Sequence, residues 1–144
     1  MWRELIHSLE PHAQYAPGAS EAQIAELCEA FSLVLSEDLR TLLKESNGVQ
    51  DPYGFCIIWS TEEISQYNRE MRTFPHYSDF YQSFVDVLFF ADAGNGDRFA
   101  FPIVQGKVQS GPVIAWDHED GKRKDVASSL ESYLEKWLSG EMSV

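Results

Sequence analysis

Hydrophobic and polar positions follow a helical period in five stretches of the chain. Trp2, Leu5, Ile6 and Leu9 recur at the i, i+3, i+4 and i+7 positions, which predicts an amphipathic helix that Pro11 ends. The same period predicts four more helices, with inward faces formed by Ile24, Leu27, Cys28 and Phe31; by Leu39, Leu42 and Leu43; by Ile64, Tyr67 and Met71; and by Leu130, Tyr133, Leu134, Trp137 and Leu138.

Serines mark where these helices should begin. Ser36 precedes two carboxylates and predicts the start of the third helix, while Asn47 and Gly48 predict its end because both tolerate the left-handed conformation. In a capping box, two side chains three residues apart each satisfy a free backbone N–H. Three pairs predict such boxes: Ser20 with Gln23, Ser60 with Glu63, and Ser128 with Glu131.

Short apolar runs predict the strands. Residues 55–59 should form a strand buried on both faces, followed by strands at 87–91, 98–103 and 113–116. Pro102 should lie at a sheet edge or a strand end, because it cannot donate to a ladder. Turns are predicted at 51–54, 92–97 and 105–111, an aromatic-rich loop at 72–82 and a charged loop at 117–124. The pattern predicts an α+β fold: a mainly antiparallel mixed sheet with helices packed on it, a helical N-terminal part and a C-terminal amphipathic helix.

Composition narrows the possible functions. The 144 residues suit a single domain, 1–144, and they carry 11 Lys and Arg against 23 Asp and Glu, a net charge of −12. This charge disfavours nucleic acid and anionic membranes as partners and suits a basic protein, although acidic proteins are often simply soluble. We find no secretory signal and no long apolar span, so we expect a cytoplasmic protein. Cys28 and Cys56 should be free thiols, with a disulfide between them as the alternative.

Two acidic loops carry the candidate chemistry. Asp92, Asn95 and Asp97 surround two glycines, which suits either a calcium loop or, as we favour, a hairpin turn whose side chains bond their own backbone. Asp117, His118 and Glu119 suit either a metal or acid–base site or, again favoured, a polar turn. If the two loops meet in space, these six residues form one acidic binding surface. We predict no cofactor and no metal.

Catalytic motifs are missing from the sequence. It has no Gly-x-Ser-x-Gly elbow, phosphate-binding glycine loop or two-histidine zinc motif, so we expect a protein that is not an enzyme. An aromatic stretch could form an interface or, as we favour, pack onto its own domain; it comprises Phe74, His76, Tyr77, Phe80 and Tyr81.

The order of these motifs resembles the SUKH superfamily, over roughly residues 20 to 138. The segment from Leu35 to Leu39, then Leu42-Leu43 and Ser46-Asn47-Gly48, is similar to that superfamily's "LPxDL…LL…xNG" helix. Later blocks resemble its strand, capped helix, central hairpin, following strand and C-terminal helix: Ile57-Ile58-Trp59, Glu62-Glu63-Ile64 with Asn68, Phe89-Phe90-Ala91-Asp92 with Gly94-Asn95-Gly96-Asp97 and Phe99-Ala100-Phe101, residues 113–119, and residues 130–138. Two positions depart from the pattern. Ser36 stands where proline is expected, and Pro102 stands where an acidic residue is common.

The resemblance implies an α+β fold and a function in protein binding. The superfamily includes yeast cell-wall-assembly (killer-toxin-resistance) regulators and many bacterial immunity proteins that neutralise toxins, often nucleases. It therefore implies an immunity-type protein that binds a basic toxin domain. A regulatory scaffold of cell-wall or signalling pathways is one alternative. A metal-dependent enzyme using the acidic loops and His118 is the other.

Overall fold

A computed structural model of the chain describes residues 1–78 and 81–142. Its helices are α1 (Trp2–Leu9), α2 (Glu21–Phe31), α3 (Glu37–Glu45), α4 (Thr61–Thr73), α5 (Pro75–Ser78) and α6 (Leu130–Leu138). Its strands are β1 (Gln14–Tyr15), β2 (Val49–Gln50), β3 (Cys56–Ile58), β4 (Val87–Asp92), β5 (Arg98–Val104), β6 (Lys107–Val108), β7 (Val113–Trp116) and β8 (Arg123–Ala127). The predicted α+β class is confirmed.

The strands form two antiparallel sheets where the sequence suggested one. The smaller sheet has the order β1-β2-β3, and the larger has the order β4-β5-β7-β8 with β6 paired to β5. Val34 and Lys107 add an isolated parallel bridge. The sheets are connected just after β3, where the Trp59 backbone N–H donates to the Phe90 carbonyl of β4 at 2.9 Å. This connection places the turn before β3 near the end of β4.

Aromatic side chains from the larger sheet and α6 form the centre of the core. The rings of Phe90 and Phe101 stack with their centroids 4.5 Å apart, and Tyr133 meets Phe90 edge-on at 5.2 Å. The Tyr133 hydroxyl is fully buried and donates to the Ile57 carbonyl at 3.0 Å. Burial raises the pKa of this phenol well above its usual value, so the hydroxyl stays a neutral donor. α6 therefore contacts both sheets, through Phe90 of the larger sheet and Ile57 of the smaller one.

A buried amide connects α4 to β4. Asn68 is 1% exposed, and its Nδ2 donates to the carbonyls of Ile64 at 2.7 Å and Phe89 at 2.8 Å. Its Oδ1 accepts from the Phe89 N–H at 2.9 Å. The side chain therefore satisfies both backbone groups that a neighbouring strand would otherwise pair.

Helix starts follow the predicted chemistry at two of the three capping boxes. Ser20 and Ser60 form the expected boxes with Gln23 and Glu63, and Ser36 caps α3 through the Leu39 N–H. The third prediction was wrong by one residue: Ser129 caps α6 by accepting from the N–H of Ser132, so Glu131 is not its partner.

The cap of α1 comes from a distant helix. The Glu45 carboxylate, at the end of α3, accepts from the backbone N–H groups of Trp2 at 3.1 Å and Arg3 at 3.0 Å. These bonds lower the pKa of Glu45, although burial, the largest single influence, acts in the opposite direction. The start of α1 therefore depends on α3.

Three local predictions for the part of the chain before β4 need correction. Phe55 is 66% exposed rather than buried, because β3 begins only at Cys56. The end of α3 does not use a left-handed Asn47: Ser46 ends it in an extended conformation, and Asn47 Oδ1 instead accepts from the Thr61 N–H of α4 at 2.8 Å. The predicted loop at 72–82 begins instead as the last turn of α4 followed by α5, and the Phe80 prediction lies outside the described residues.

Two more corrections concern the second half. The charged loop ends early because residues 123–127 form β8, an edge strand whose charges obscured its period. Pro102 lies inside β5 at the point where pairing with β7 has ended and pairing with β6 begins, so the strand-end interpretation holds only locally.

Candidate functional site

The two acidic loops meet through Asp97 and His118. Asp97 is 8% exposed, and its Oδ1 lies 2.6 Å from His118 Nδ1 and accepts from the His118 backbone N–H at 3.1 Å. Gly96 makes this approach possible, since it adopts a φ of +103° and a Cβ there would lie 2.9 Å from the imidazole. Tyr81 supports the loop from the other side by donating its hydroxyl to the His118 carbonyl at 2.5 Å.

The charge state of His118 follows from these contacts. Its hydrogen bond to Asp97 raises the pKa of the imidazole above its usual value, and the negative charges of Asp97, Glu119 and Asp117 act in the same direction against a smaller desolvation effect. A larger fraction of His118 is therefore cationic near neutral pH than in an unfolded chain. The loop pair is less negative than its residue types suggest.

Two carboxylates and one amide in these loops accept hydrogen bonds from the backbone of their own turn. Asp92 Oδ1 accepts from the Gly94 N–H, Asn95 Oδ1 from the Asp97 N–H, and Asp117 Oδ1 from the Glu119 N–H, at 2.8 to 3.0 Å. These bonds are those of the hairpin and polar turns that we favoured over a calcium loop.

One group in the loops has metal-ligand spacing. Single ligand atoms of Asp97, Asp117 and His118 lie within 4.8 Å of one another. Carboxylate and imidazole donors suit zinc or manganese. His118 Nδ1 is already engaged by Asp97, which would be the outer partner of a histidine that bound a metal through Nε2.

The six predicted residues lie at two adjoining places, which the hydrogen bond from the Asp97 N–H to Asn95 Oδ1 connects. Asp97, Asp117 and His118 come together, and the exposed Glu119 follows His118 on the loop after β7. Asp92 and Asn95 instead line a different cleft. Asp92 is oriented toward it by the Trp59 indole N–H, which donates to Asp92 Oδ2 at 3.0 Å.

That cleft has a volume of about 530 Å³ and was not predicted. It lies between the turn before β3, the 92–95 turn, the end of α6 and the residue after α1, and its lining includes Glu10, Asp51, Phe55, Ile57, Asp92 and Trp137. The available signal was the exposed pair Tyr53 and Phe55 around an Asp-Pro-x-Gly turn, but the sequence pattern placed Phe55 in a buried strand. The cleft also draws on Glu10 and Trp137, which are distant in sequence.

The Cys56 thiol is unsuited to nucleophilic chemistry. Both cysteines are free and half-buried. Burial raises the pKa of the Cys56 thiol to about 12, with the carboxylates of Asp92 and Glu63 acting in the same direction. The Cys56 thiol is therefore protonated at neutral pH.

Comparison with known proteins identifies the class to which the chain belongs. Two small antiparallel sheets under an N-terminal helical part and a C-terminal helix form the α+β arrangement that the resemblance implies. Residues 18–136 match the model of the SMI1 / KNR4 family (SUKH-1), and the chain belongs to that family. A search of curated proteins gives no match. Among the described residues, no helix is long and apolar enough to cross a membrane.

Proposed function

We propose that this protein is an immunity-type member of the family that binds a cognate bacterial toxin stoichiometrically, neutralises it and performs no catalysis. The toxin is a basic domain, such as a nuclease, because nucleases grip polyanions and tend to be basic. The observation that carries the proposal is the net charge of −12 on a member of this family. Opposite charges raise the association rate and the specificity with which an acidic surface binds a basic partner.

The first experiment is a pull-down from lysate of the native cell, with the tagged protein as bait, at low and high salt. We expect recovery of a basic protein whose toxic activity falls in a one-to-one complex, with less recovered at high salt because exposed charges are screened. A toxin gene beside the gene for this chain would support the same assignment. Recovery of cell-wall or signalling proteins alone would favour the regulatory alternative.

The predicted acidic loop is tested by charge reversal at Glu119. This residue is exposed, so Glu119→Lys should leave the fold intact and weaken toxin binding if the loop is the contact face. Glu26→Lys, on the exposed side of α2, is the matched control because it changes the net charge equally. Equal effects of the two variants would mean that the loop has no special role.

A metal-dependent enzyme is the second candidate, favoured by the spacing of Asp97, Asp117 and His118. A metal that binds only the folded state must stabilise it by mass action. Zinc or manganese should then raise the Tm of the protein, but not the Tm of His118→Gln. Equal Tm values with and without each metal would exclude this alternative at the concentrations used.

A further inference from the structure

We propose that the cleft lined by Glu10, Asp51, Asp92 and Trp137 is the docking surface for a lysine or arginine side chain presented by a protein partner. The inference rests on the proposed function, because the partner is the same basic protein. It places the contact in the cleft rather than on the loop of Asp117, His118 and Glu119.

Charge is the first argument. Glu10, Asp51 and Asp92 line the cleft, and its described lining contains no Lys, Arg or His. Asp92 is held by the Trp59 indole and the Gly94 N–H, while Asp51 Oδ1 accepts from the N–H groups of Tyr53 at 2.8 Å and Phe55 at 3.0 Å. These carboxylates are positioned before any ligand arrives, so little ordering cost remains for a cation. An anionic ligand would be repelled.

The apolar part of the lining matches the remainder of a basic side chain. Cys56, Ile57, Trp137 and Leu138 contribute to it. Lysine and arginine bury their aliphatic stems on apolar surface while the charged group contacts polar ones. A tryptophan ring adds a favourable face for the cation. A small carboxylate or a nucleotide carries negative charge and would not match both parts.

The rim indicates a protein rather than a free amine. Tyr53 is 85% exposed and Phe55 66% exposed, and both lie on the turn that forms one wall. Large exposed aromatic side chains are typical of interface contacts, where they exclude water around a central charge pair. Two projecting rings offer contact to a surface wider than one amine could cover.

The cleft is tested with a defined probe, the peptide acetyl-Gly-Leu-Arg-Leu-Gly-amide, and its matched peptide with citrulline in place of arginine. Titration into ¹⁵N-labelled protein should produce saturable shifts at residues 51–57 and 92–95 and at the Trp137 indole. The citrulline peptide should bind about two- to fivefold more weakly, the range expected for one exposed ion pair.

Variants then locate the contact. Asp51→Asn should weaken the arginine peptide about two- to fivefold while keeping an oxygen for the Tyr53 and Phe55 N–H groups. Asp125→Asn, an exposed charge on β8, is the matched control and should have no effect. Phe55→Ser should also weaken binding without core damage. Shifts confined to the loop at 117–122, or equal binding of both peptides, would overturn the proposal.

Failure of the cleft and failure of the proposed function give different results. If a toxin is recovered but Asp51→Asn and Phe55→Ser leave its affinity unchanged while Glu119→Lys weakens it, the cleft is wrong and the function stands. If the arginine peptide binds the cleft selectively but no toxin is neutralised, the cleft stands and the toxin assignment is wrong.

Discussion

Replacing Asn68 by leucine tests the connection between α4 and β4. Leucine has the same number and branching of side-chain heavy atoms as asparagine, with bulkier methyl groups, but cannot pair with the Phe89 N–H and C=O, which would be left buried and unsatisfied. Each such group costs about 1 to 3 kcal/mol, while a leucine in an apolar site recovers part of the loss, so we expect a decrease in unfolding free energy of about 2 to 4 kcal/mol. In a chain of this size that lowers the Tm by roughly 5 to 15 °C.

The assay is urea unfolding followed by circular dichroism, with thermal melts in parallel. Gln66→Leu is the matched control, because Gln66 is exposed on the same helix and, among the described residues, its side chain bonds only to the half-buried side chain of Glu70 at 3.0 Å. We expect it to change stability by less than about 0.5 kcal/mol. A loss below about 1 kcal/mol in Asn68→Leu would refute the reasoning, because the Phe89 groups would then be satisfied without the amide.

Three further predictions concern buried or paired groups. Tyr133→Phe removes the bond to the Ile57 carbonyl and should destabilise the fold by about 1 to 2 kcal/mol in urea unfolding; an unchanged midpoint would show that the bond adds nothing. The pKa of His118 is raised in the folded state, so its pairing with Asp97 stabilises the fold fully below about pH 6.5 and is lost as pH rises through the folded pKa. NMR titration should show that pKa falling in Asp97→Asn, and an unchanged pKa would contradict the assigned cause. Cys56, with a pKa of about 12, should resist iodoacetamide at pH 8 in the folded protein and react in urea; fast labelling of the native protein would contradict this.

The fold was predictable where one side chain or one period decided the outcome. Ser20 and Ser60 specify helix starts because the cap and its partner are three residues apart in the sequence. The start of α6 was ambiguous because Ser128 and Ser129 can both act as caps, and tertiary packing selects Ser129. β8 escaped prediction because an edge strand in contact with water needs no apolar alternation.

The candidate site was predictable only in part for the same reason. Asp97 lies in the turn between β4 and β5, and His118 follows β7. Because β5 pairs with β7, the meeting of these two residues was a reasonable expectation. The orientation of Asp92 toward the other cleft could not be expected from the sequence. The register of β4 shifts between Phe89 and Ala91, and this shift changes how the chain enters the turn. The cleft also includes Glu10 and Trp137, and no local sequence pattern indicates that these two residues lie close together.

The Asn68 amide also governs how this protein behaves beside copies of itself. An uncovered edge strand is a template for pairing with another chain and hence for aggregation. At the β4 edge, the Asn68 side chain already pairs with the Phe89 backbone groups, so a strand of another chain cannot pair there without displacing Asn68. At the opposite edge of the sheet, β8 pairs with β7 alone among the described strands, and it carries Arg123, Lys124 and Asp125. Strand addition there would remove water from these charges. Each edge of the larger sheet is therefore protected against strand addition by a different physical means.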